Sequence, residues 1–174
     1  MSPQEIFVGM GELAVTADAG CVLTTIGLGS CVAVALLDSA SDAVGLAHVI
    51  FPKAPARAGA EHGKYADTAV PALIAALGRL GSPRTRLVAV LAGGARMFSF
   101  ERALDLDIGK HNLIAVGAAL ADSEIPVRAE RTRGSTGRSV RVDARGGVVS
   151  ISQRGRDHEL YRVPKMRLTS GAAG

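Results

Sequence analysis

Short apolar runs alternate with polar, glycine-rich turns along most of the chain. Runs rich in valine and other aliphatic residues, bounded by glycine, aspartate or serine, are typical of β-strands. They predict strands at residues 12–16, 22–26, 31–37, 44–51, 86–91 and 127–132, and a hairpin over 139–152 that is broken at 144–147. The segment DSASD between the third and fourth runs has turn chemistry, so we expect these two runs to form a hairpin as well.

Two other segments have apolar residues at the three- and four-residue spacing of amphipathic helices, and we predict helices over 67–80 and 112–121. Asp67 or Thr68 is expected to cap the first helix, where Pro71 falls in the tolerant first turn. The second helix should stop before Pro126. With 174 residues, 48% of them hydrophobic, the chain is expected to form one α/β domain over 1–168 and a flexible tail at 169–174.

Composition excludes several classes of protein. No apolar stretch approaches the roughly 18 residues that a transmembrane helix needs, and the opening MSPQEIFVGMGE lacks the layout of a signal peptide. We therefore expect a cytoplasmic protein. Cys21 and Cys31 allow at most one disulfide, and neither a CxxC motif nor a Cys/His pairing suggests zinc, so we expect no metal and no cofactor.

The charge is unevenly distributed. Residues 127–174 carry 11 of the 20 basic side chains but 4 of the 16 acidic ones. Sites that bind nucleic acid usually interleave basic residues with aromatic ones, whereas aromatic residues make up 3% of this chain. The basic C-terminal part is therefore interpreted as a solvated face or a docking surface for an acidic protein, with no nucleic-acid partner.

The first predicted hairpin places two reactive side chains near each other. The midpoint of positions 31 and 48 falls within the turn at 38–41, so Cys31 and His48 should lie opposite each other, or nearly so, at the open end. A slip of one residue would put them on opposite faces of the sheet. The glycine-containing turn at 26–30 could bring the hydroxyl of Thr25 to the same place.

These residue types suit nucleophilic catalysis. An imidazole can take the proton of a thiol, and a third group that orients the ring completes a triad. Backbone N–H groups around Gly29 and Ser30 could converge on an oxyanion. Cys31 as a packing residue stays open as the alternative, because free cysteines are among the most buried residues.

Several stretches resemble one known family in order along the chain. They are GLGSCVAVALLD at 27–38, GLAHVIFP at 45–52, KYADTAVPALI at 64–74, GGARMF at 93–98, IGKHNLIAV at 108–116 and GSTGRSVRVD at 134–143. Together they resemble the CheD family, the chemoreceptor glutamine deamidases of bacterial chemotaxis. One departure is Arg133, which stands where the family usually shows a glycine before Gly134, and this leaves the local turn in doubt.

The resemblance implies a fold and a reaction. The fold would be a layered α/β sandwich with mostly antiparallel or mixed sheets and two main helices, similar to the catalytic domain of the cytotoxic necrotizing factors. The site would be Cys31, His48 and Thr25, and the enzyme would convert receptor glutamines to glutamate through a cysteine thioester, with release of ammonia. It also implies a CheC-type phosphatase as a possible partner and contact with the membrane only through receptors. We expect a monomer by default.

Two other functions remain open at this point. The chain could be a non-catalytic module that docks a CheC-type partner through its basic C-terminal part, or a cysteine hydrolase that acts on another protein. Among the remaining candidates, Cys21 is interpreted as a packing residue. His62, His111 and His158 are interpreted as loop or surface residues, and Gly93-Gly94 as a turn required by backbone packing.

Overall fold

Ten strands and two α-helices make up the described part of the chain, which in this computed structural model comprises residues 2–59, 61–97 and 107–164. The strands are β1 Gln4–Phe7, β2 Leu13–Thr16, β3 Cys21–Leu28, β4 Val32–Asp38, β5 Val44–Val49, β6 Leu87–Gly93, β7 Val127–Thr132, β8 Arg138–Asp143, β9 Val148–Gln153 and β10 Arg156–Arg162. The helices are α1 Ala66–Arg79 and α2 Ile108–Asp122, and a 3₁₀ turn spans Arg84–Arg86. The predicted tail at 169–174 lies outside the described residues.

The strands form two five-stranded sheets. The first has the order β1-β3-β8-β9-β10 and the second the order β2-β5-β4-β6-β7. Both are mixed, because β1 runs parallel to β3 and β6 runs parallel to β7, while the other neighbours are antiparallel. This confirms the predicted α/β class with mixed sheets and two main helices.

The central strand β4 shows why the chain adopts three layers. Ala33, Ala35 and Leu37 pack between the two sheets, whereas the alternate residues Val32 and Val34 pack against the helices. A strand that is buried on both faces has a continuous apolar sequence, as VAVALL has here. The layers are therefore the first sheet, the second sheet and the helix pair, which is the layered sandwich that the family resemblance implies.

The predicted start of each helix is wrong. The N-cap of α1 is Tyr65, which makes no side-chain cap bond. The carboxylate of Asp67 instead accepts from the amide of Ala54, and Thr68 donates to backbone carbonyls of the preceding loop. The second helix begins four residues before the predicted start, because the carboxylate of Asp107 caps it by accepting the amide N–H of Lys110.

Two strands are absent from the prediction, and both form edges of the first sheet. β1 reads QEIF and β10 reads RDHELYR, and their residues are mostly exposed. Edge strands are often polar, because polar side chains discourage pairing with other molecules. Their sequences therefore lack the apolar pattern that identifies a buried strand. No helix in the described ranges is long and apolar enough to cross a membrane.

Candidate active site

The register of the β4–β5 hairpin determines how Cys31 and His48 face each other. Ala33 lies opposite His48 and Val32 lies opposite Val49, so continuing the register places Cys31 opposite Ile50 and diagonal to His48. Cys31 and His48 are therefore diagonal neighbours, which agrees with the expectation that they lie opposite each other or nearly so. Diagonal neighbours have Cβ atoms about 7 Å apart, within reach of long side chains.

The thiol and the imidazole share one face of the second sheet. Cys31 packs against the apolar cluster between the sheets, to which Ala33 belongs. His48 lies opposite Ala33, and directly paired residues point to the same face. Cys31 as a whole is half-buried, in contrast to the buried Cys21. The structure thus places both side chains on one face of the sheet, but among the described residues it forms no hydrogen bond between the Cys31 thiol and His48 Nε2.

Thr25 fixes the orientation and the tautomer of His48. Its Oγ1 lies 2.7 Å from His48 Nδ1 and 2.7 Å from the carbonyl oxygen of Val8, and both side chains are 1% exposed. The hydroxyl has one proton, and a carbonyl can only accept, so the hydroxyl donates to Val8 and accepts Nδ1–H from the ring. The lone pair of the neutral imidazole is then on Nε2, which is where a general base needs it.

The Nε2 atom of His48 is buried and has no hydrogen-bond partner within the described residues. A buried polar atom without a partner is uncommon and often marks a functional site. Burial lowers the pKa of His48 and raises the pKa of Cys31, although the backbone N–H of Cys31 partly offsets the second effect. Both shifts favour a neutral thiol beside a neutral imidazole before substrate binds.

The turn before Cys31 is held by its carbonyl groups. The carbonyl of Gly29 accepts from the amide of Ala95 at 2.9 Å, and that of Cys31 accepts from Gly94 at 2.8 Å. The carbonyl of Ser30 accepts from Nδ2 of Asn112 at 3.1 Å. The amide N–H groups of these three turn residues donate to no other residue in the described part of the chain. The role of Gly29 and Ser30 as oxyanion donors stays a prediction, with which this arrangement is compatible.

Asn112 is a site residue that the sequence argument missed. It lies on α2, is fully buried, and donates from Nδ2 to two carbonyls, that of Ser30 and that of Ile50 at 2.8 Å. These carbonyls flank the open end of the hairpin, so one side chain ties together the two strand ends that carry Cys31 and His48. The available signal was an asparagine at the start of an otherwise apolar helix, where a polar core residue needs a partner.

We expect Asn112→Ala to destabilise the fold by about 2 kcal/mol and to lower activity as well, because the carbonyls of two half-buried residues lose their donor. Denaturant unfolding would measure the first effect, and turnover would measure the second. Val116→Ala is the matched control, since Val116 is fully buried one turn further along α2 and belongs to the helix-side core. It should reduce stability while leaving turnover unchanged; equal losses of turnover in both variants would contradict the role of Asn112.

Gly93 and Gly94 form a turn that backbone packing requires, as predicted. Gly93 has φ +106° and Gly94 has φ +64°, in the region that side chains disfavour. A Cβ at Gly93 would collide with the carbonyl oxygen of Cys31, and one at Gly94 would meet Leu113 of α2. These two glycines allow β6 and α2 to approach the turn before Cys31 closely.

Arg133 resolves the doubt left by the missing family glycine. It has φ +65°, so it occupies the left-handed conformation that a glycine would adopt without strain. Its guanidinium donates to the carbonyl of Gly94 at 2.9 Å and to both carboxylate oxygens of Asp107, the nearer at 2.6 Å. The Arg133 guanidinium holds the pKa of Asp107 at about 2. The substitution therefore links the glycine turn to the cap of α2.

The other candidate residues lie away from this constellation. Cys21 is buried at the start of β3, in agreement with a packing role. His62 is exposed in the loop before α1, His111 is exposed on α2, and His158 is exposed on β10. No group of three or more His, Cys, Asp or Glu side chains that could hold a metal ion occurs among the described residues.

The family model described as CheD chemotactic sensory transduction matches residues 50–153, which lie C-terminal to Cys31 and His48. Three relatives are each named "Probable chemoreceptor glutamine deamidase CheD". The protein of Symbiobacterium thermophilum is 44% identical over 88% of this chain and 95% of its own length, and that of Moorella thermoacetica is 42% identical over 90% and 95%. The protein of Archaeoglobus fulgidus is 44% identical over 78% and 85%.

Among solved structures, the crystal structure of a Neisseria meningitidis protein of the DUF152 family aligns with 9% identity and a TM-score of 0.43, over 76% of this chain and 64% of that one. The likeness is too low to assign a shared fold. The sequence relatives, in contrast, are more than 30% identical and span most of both chains. The chain therefore belongs to the CheD family.

Proposed function

We propose that this protein hydrolyses the side-chain amide of glutamine residues in chemoreceptors, with Cys31 as nucleophile, His48 as general base and acid, and Thr25 as the residue that orients the ring. The observation that carries the proposal is the Thr25–His48 hydrogen bond, which leaves an unpartnered, buried Nε2 on the face that also carries the Cys31 thiol. The names of the relatives supply the reaction and the substrate class.

The first half of the reaction forms a thioester. His48 Nε2 takes the proton of the Cys31 thiol, and the sulfur attacks the carboxamide carbon of the substrate glutamine. The amide N–H groups of the Gly29-Ser30-Cys31 turn donate to the oxyanion of the tetrahedral intermediate, and such a donor contributes about 3 kcal/mol in known enzymes. His48 then returns the proton to the amine, the carbon–nitrogen bond breaks, and ammonia leaves.

The second half restores the enzyme. A water molecule enters the position that ammonia has vacated and gives its proton to His48 Nε2. The resulting hydroxide attacks the thioester carbon, the carbon–sulfur bond breaks, and the sulfur recovers its proton from His48. The substrate side chain leaves as glutamate, so each turnover replaces a neutral group on the receptor by a negative one. No cofactor enters these steps.

The surface around the site suits a protein substrate. Large apolar side chains are exposed on segments next to the site residues: Phe7, Met10, Ile26, Phe51 and Met97. Exposed apolar side chains that cluster in one region often mark a protein contact. A helical receptor segment could cover this rim while one glutamine side chain enters the cleft. The CheC-type phosphatase, the monomeric state and the cytoplasmic location remain predictions of the same proposal.

Purified protein incubated with a chemoreceptor cytoplasmic fragment tests the proposal directly. Deamidation predicts a gain of about 1 Da for each modified glutamine, with one ammonia released per gain. A fragment that stays unchanged while binding tightly would support the docking-module alternative and overturn the proposal. Cleaved fragments would identify a protease instead.

Replacing Thr25 by valine should lower kcat by roughly 10-fold to 100-fold, because the imidazole keeps its chemistry but loses its fixed orientation and tautomer. Thr25→Ser keeps the hydroxyl and should restore most of the rate. Steady-state kinetics of both variants on the same receptor fragment would measure this. A serine variant as slow as the valine variant would contradict the orienting role.

The pH profile of the reaction should show that Cys31 and His48 are both neutral in the free enzyme. Because burial lowers the pKa of His48 below its usual 6.5, kcat/KM should fall only in acid below that value, where Nε2 becomes protonated. Because burial raises the pKa of Cys31 above 9.0, the thiol should show no thiolate absorbance at neutral pH. Ultraviolet difference spectra against Cys31→Ala would check this, and a full thiolate signal at neutral pH would indicate a preformed ion pair instead.

A further inference from the structure

An open cleft of about 580 Å³ lies between the β7–β8 loop and the β9–β10 turn. Gly134, Ser135 and Thr136 form one wall, while Arg154 and Arg156 lie on the other. Arg154 spans the two walls, since its guanidinium donates to Oγ1 of Thr136 at 3.2 Å. The steps proposed for the reaction use none of these residues.

Strand pairing places this cleft at the same end of the sandwich as the candidate active site. Leu28, the last residue of β3 before the catalytic turn, pairs with Arg138 at the start of β8. Gln153 pairs with Arg156 around the β9–β10 turn, which therefore lies at this end. Two backbone hydrogen bonds connect the cleft wall to the turn before Cys31. The amide of Arg96 donates to the carbonyl of Gly134, and the amide of its neighbour Ala95 donates to the carbonyl of Gly29.

The positive charge of the cleft is not neutralised by the described residues. Neither Arg154 nor Arg156 has a carboxylate within ion-pair distance among them, whereas Arg162 and Arg141 do. His158 follows Arg156 on the same face of β10, and the acidic side chains of Asp157 and Glu159 alternate onto the opposite face. The cleft therefore presents donors and cations to a ligand.

A buried cation behind the cleft wall adds to the field. Arg138 is 5% exposed, and its guanidinium donates to the carbonyls of Arg131, Arg133 and Thr136. No carboxylate within the described ranges pairs with it, and its buried Nε has no partner there. Burial, and then repulsion from Arg131, lower the pKa of Arg138. A buried charge without a counter-charge is costly, so an anion in the cleft would relieve it.

We propose that this cleft binds carboxylate side chains of the protein substrate that lie close to the glutamine entering the site. The inference rests on the proposed function, because it makes the cleft a recognition subsite for the same reaction. A protein is favoured over a nucleic acid because no Phe, Tyr or Trp side chain lines the cleft to stack on a base, and the imidazole of His158 is the one ring among the described lining residues. Such a subsite would select glutamines within acidic stretches and would accelerate encounter at low salt.

The test compares two double variants that remove the same charge. Arg154→Gln with Arg156→Gln alters the cleft, while Arg128→Gln with Arg145→Gln removes two exposed cations at the opposite end of the sandwich. Each is measured with a chemoreceptor cytoplasmic fragment, for KM and kcat by mass spectrometry. The dissociation constant of the fragment is measured separately in a Cys31→Ala background, where no turnover is needed.

The cleft variant should raise KM and the dissociation constant about 5-fold to 10-fold, leave kcat within about 2-fold, and lose most of the salt dependence of KM. Arg154→Lys with Arg156→Lys should retain most of the affinity, and the distant variant should match the wild type. An unchanged dissociation constant in the cleft variant overturns the proposal, as does an equal effect of the distant variant. The proposal would also be overturned if the wild type bound a single-stranded DNA oligonucleotide tightly and the cleft variant did not. A wild type that binds the fragment without changing its mass would instead overturn the proposed function.

Discussion

Cys31→Ala should abolish deamidation of a receptor fragment, with a loss of at least about 10⁴-fold in kcat, because no other group in the site can form the thioester. The same variant should unfold at nearly the wild-type temperature. Cys31 is half-buried at the rim of the inter-sheet core, so truncating its side chain leaves little cavity. Mass spectrometry of the fragment and thermal unfolding of the variant are the two measurements.

Cys21→Ala is the matched control, since it removes the other thiol of the chain. Cys21 is buried at the start of β3, so the truncation should cost about 1 kcal/mol of stability and leave kcat unchanged. The two cysteines should thus give opposite patterns. If Cys31→Ala loses stability and keeps its activity, Cys31 is a packing residue and not the nucleophile.

His48→Gln should lower kcat by about 10³-fold, since the amide cannot take the thiol proton and return it to the leaving amine. Glutamine can still hydrogen-bond to Thr25, so the variant removes the base while retaining a polar partner for the hydroxyl. Because His48 is 1% exposed, a moderate loss of stability is expected as well. Kinetics at a temperature well below the unfolding transition would separate the two effects.

His111→Gln is the corresponding control, because His111 is exposed on α2 and makes no side-chain hydrogen bond within the described part of the chain. Its kcat should equal that of the wild type. Alkylation of Cys31 by iodoacetamide gives a further readout: the rate should fall in His48→Gln if the imidazole assists the thiol. Equal alkylation rates in His48→Gln and His111→Gln would show that the imidazole of His48 does not assist the thiol of Cys31.

The sequence predicted the central hairpin, because both runs are apolar and the segment between them is polar. It could not give the register, and so left open whether Cys31 and His48 share a face, since the loop at 39–43 contains several residues with equal turn propensity. The edge strands β1 and β10 were missed for a related reason. Their pairing depends on neighbours distant in sequence, and their own residues are polar.

The sequence could not reveal the hydrogen bonds that hold the site residues in place. Thr25 came from a turn argument and from resemblance, yet its second bond, to the carbonyl of Val8, depends on the segment after β1, which was not predicted. Asn112 reaches Ser30 and Ile50 across 82 and 62 positions of the chain. Contacts of that separation follow from the packing of α2 against the second sheet, which no local pattern encodes.

The proposed reaction is hydrolysis of a glutamine carboxamide through the sulfur of Cys31. The most direct test is to run the reaction in water enriched in oxygen-18. Each modified receptor glutamine should gain about 3 Da in that water and about 1 Da in ordinary water, because the new carboxylate oxygen comes from the solvent. Every gain should vanish with Cys31→Ala. A receptor fragment of unchanged mass, or a gain that persists without the sulfur, would contradict it.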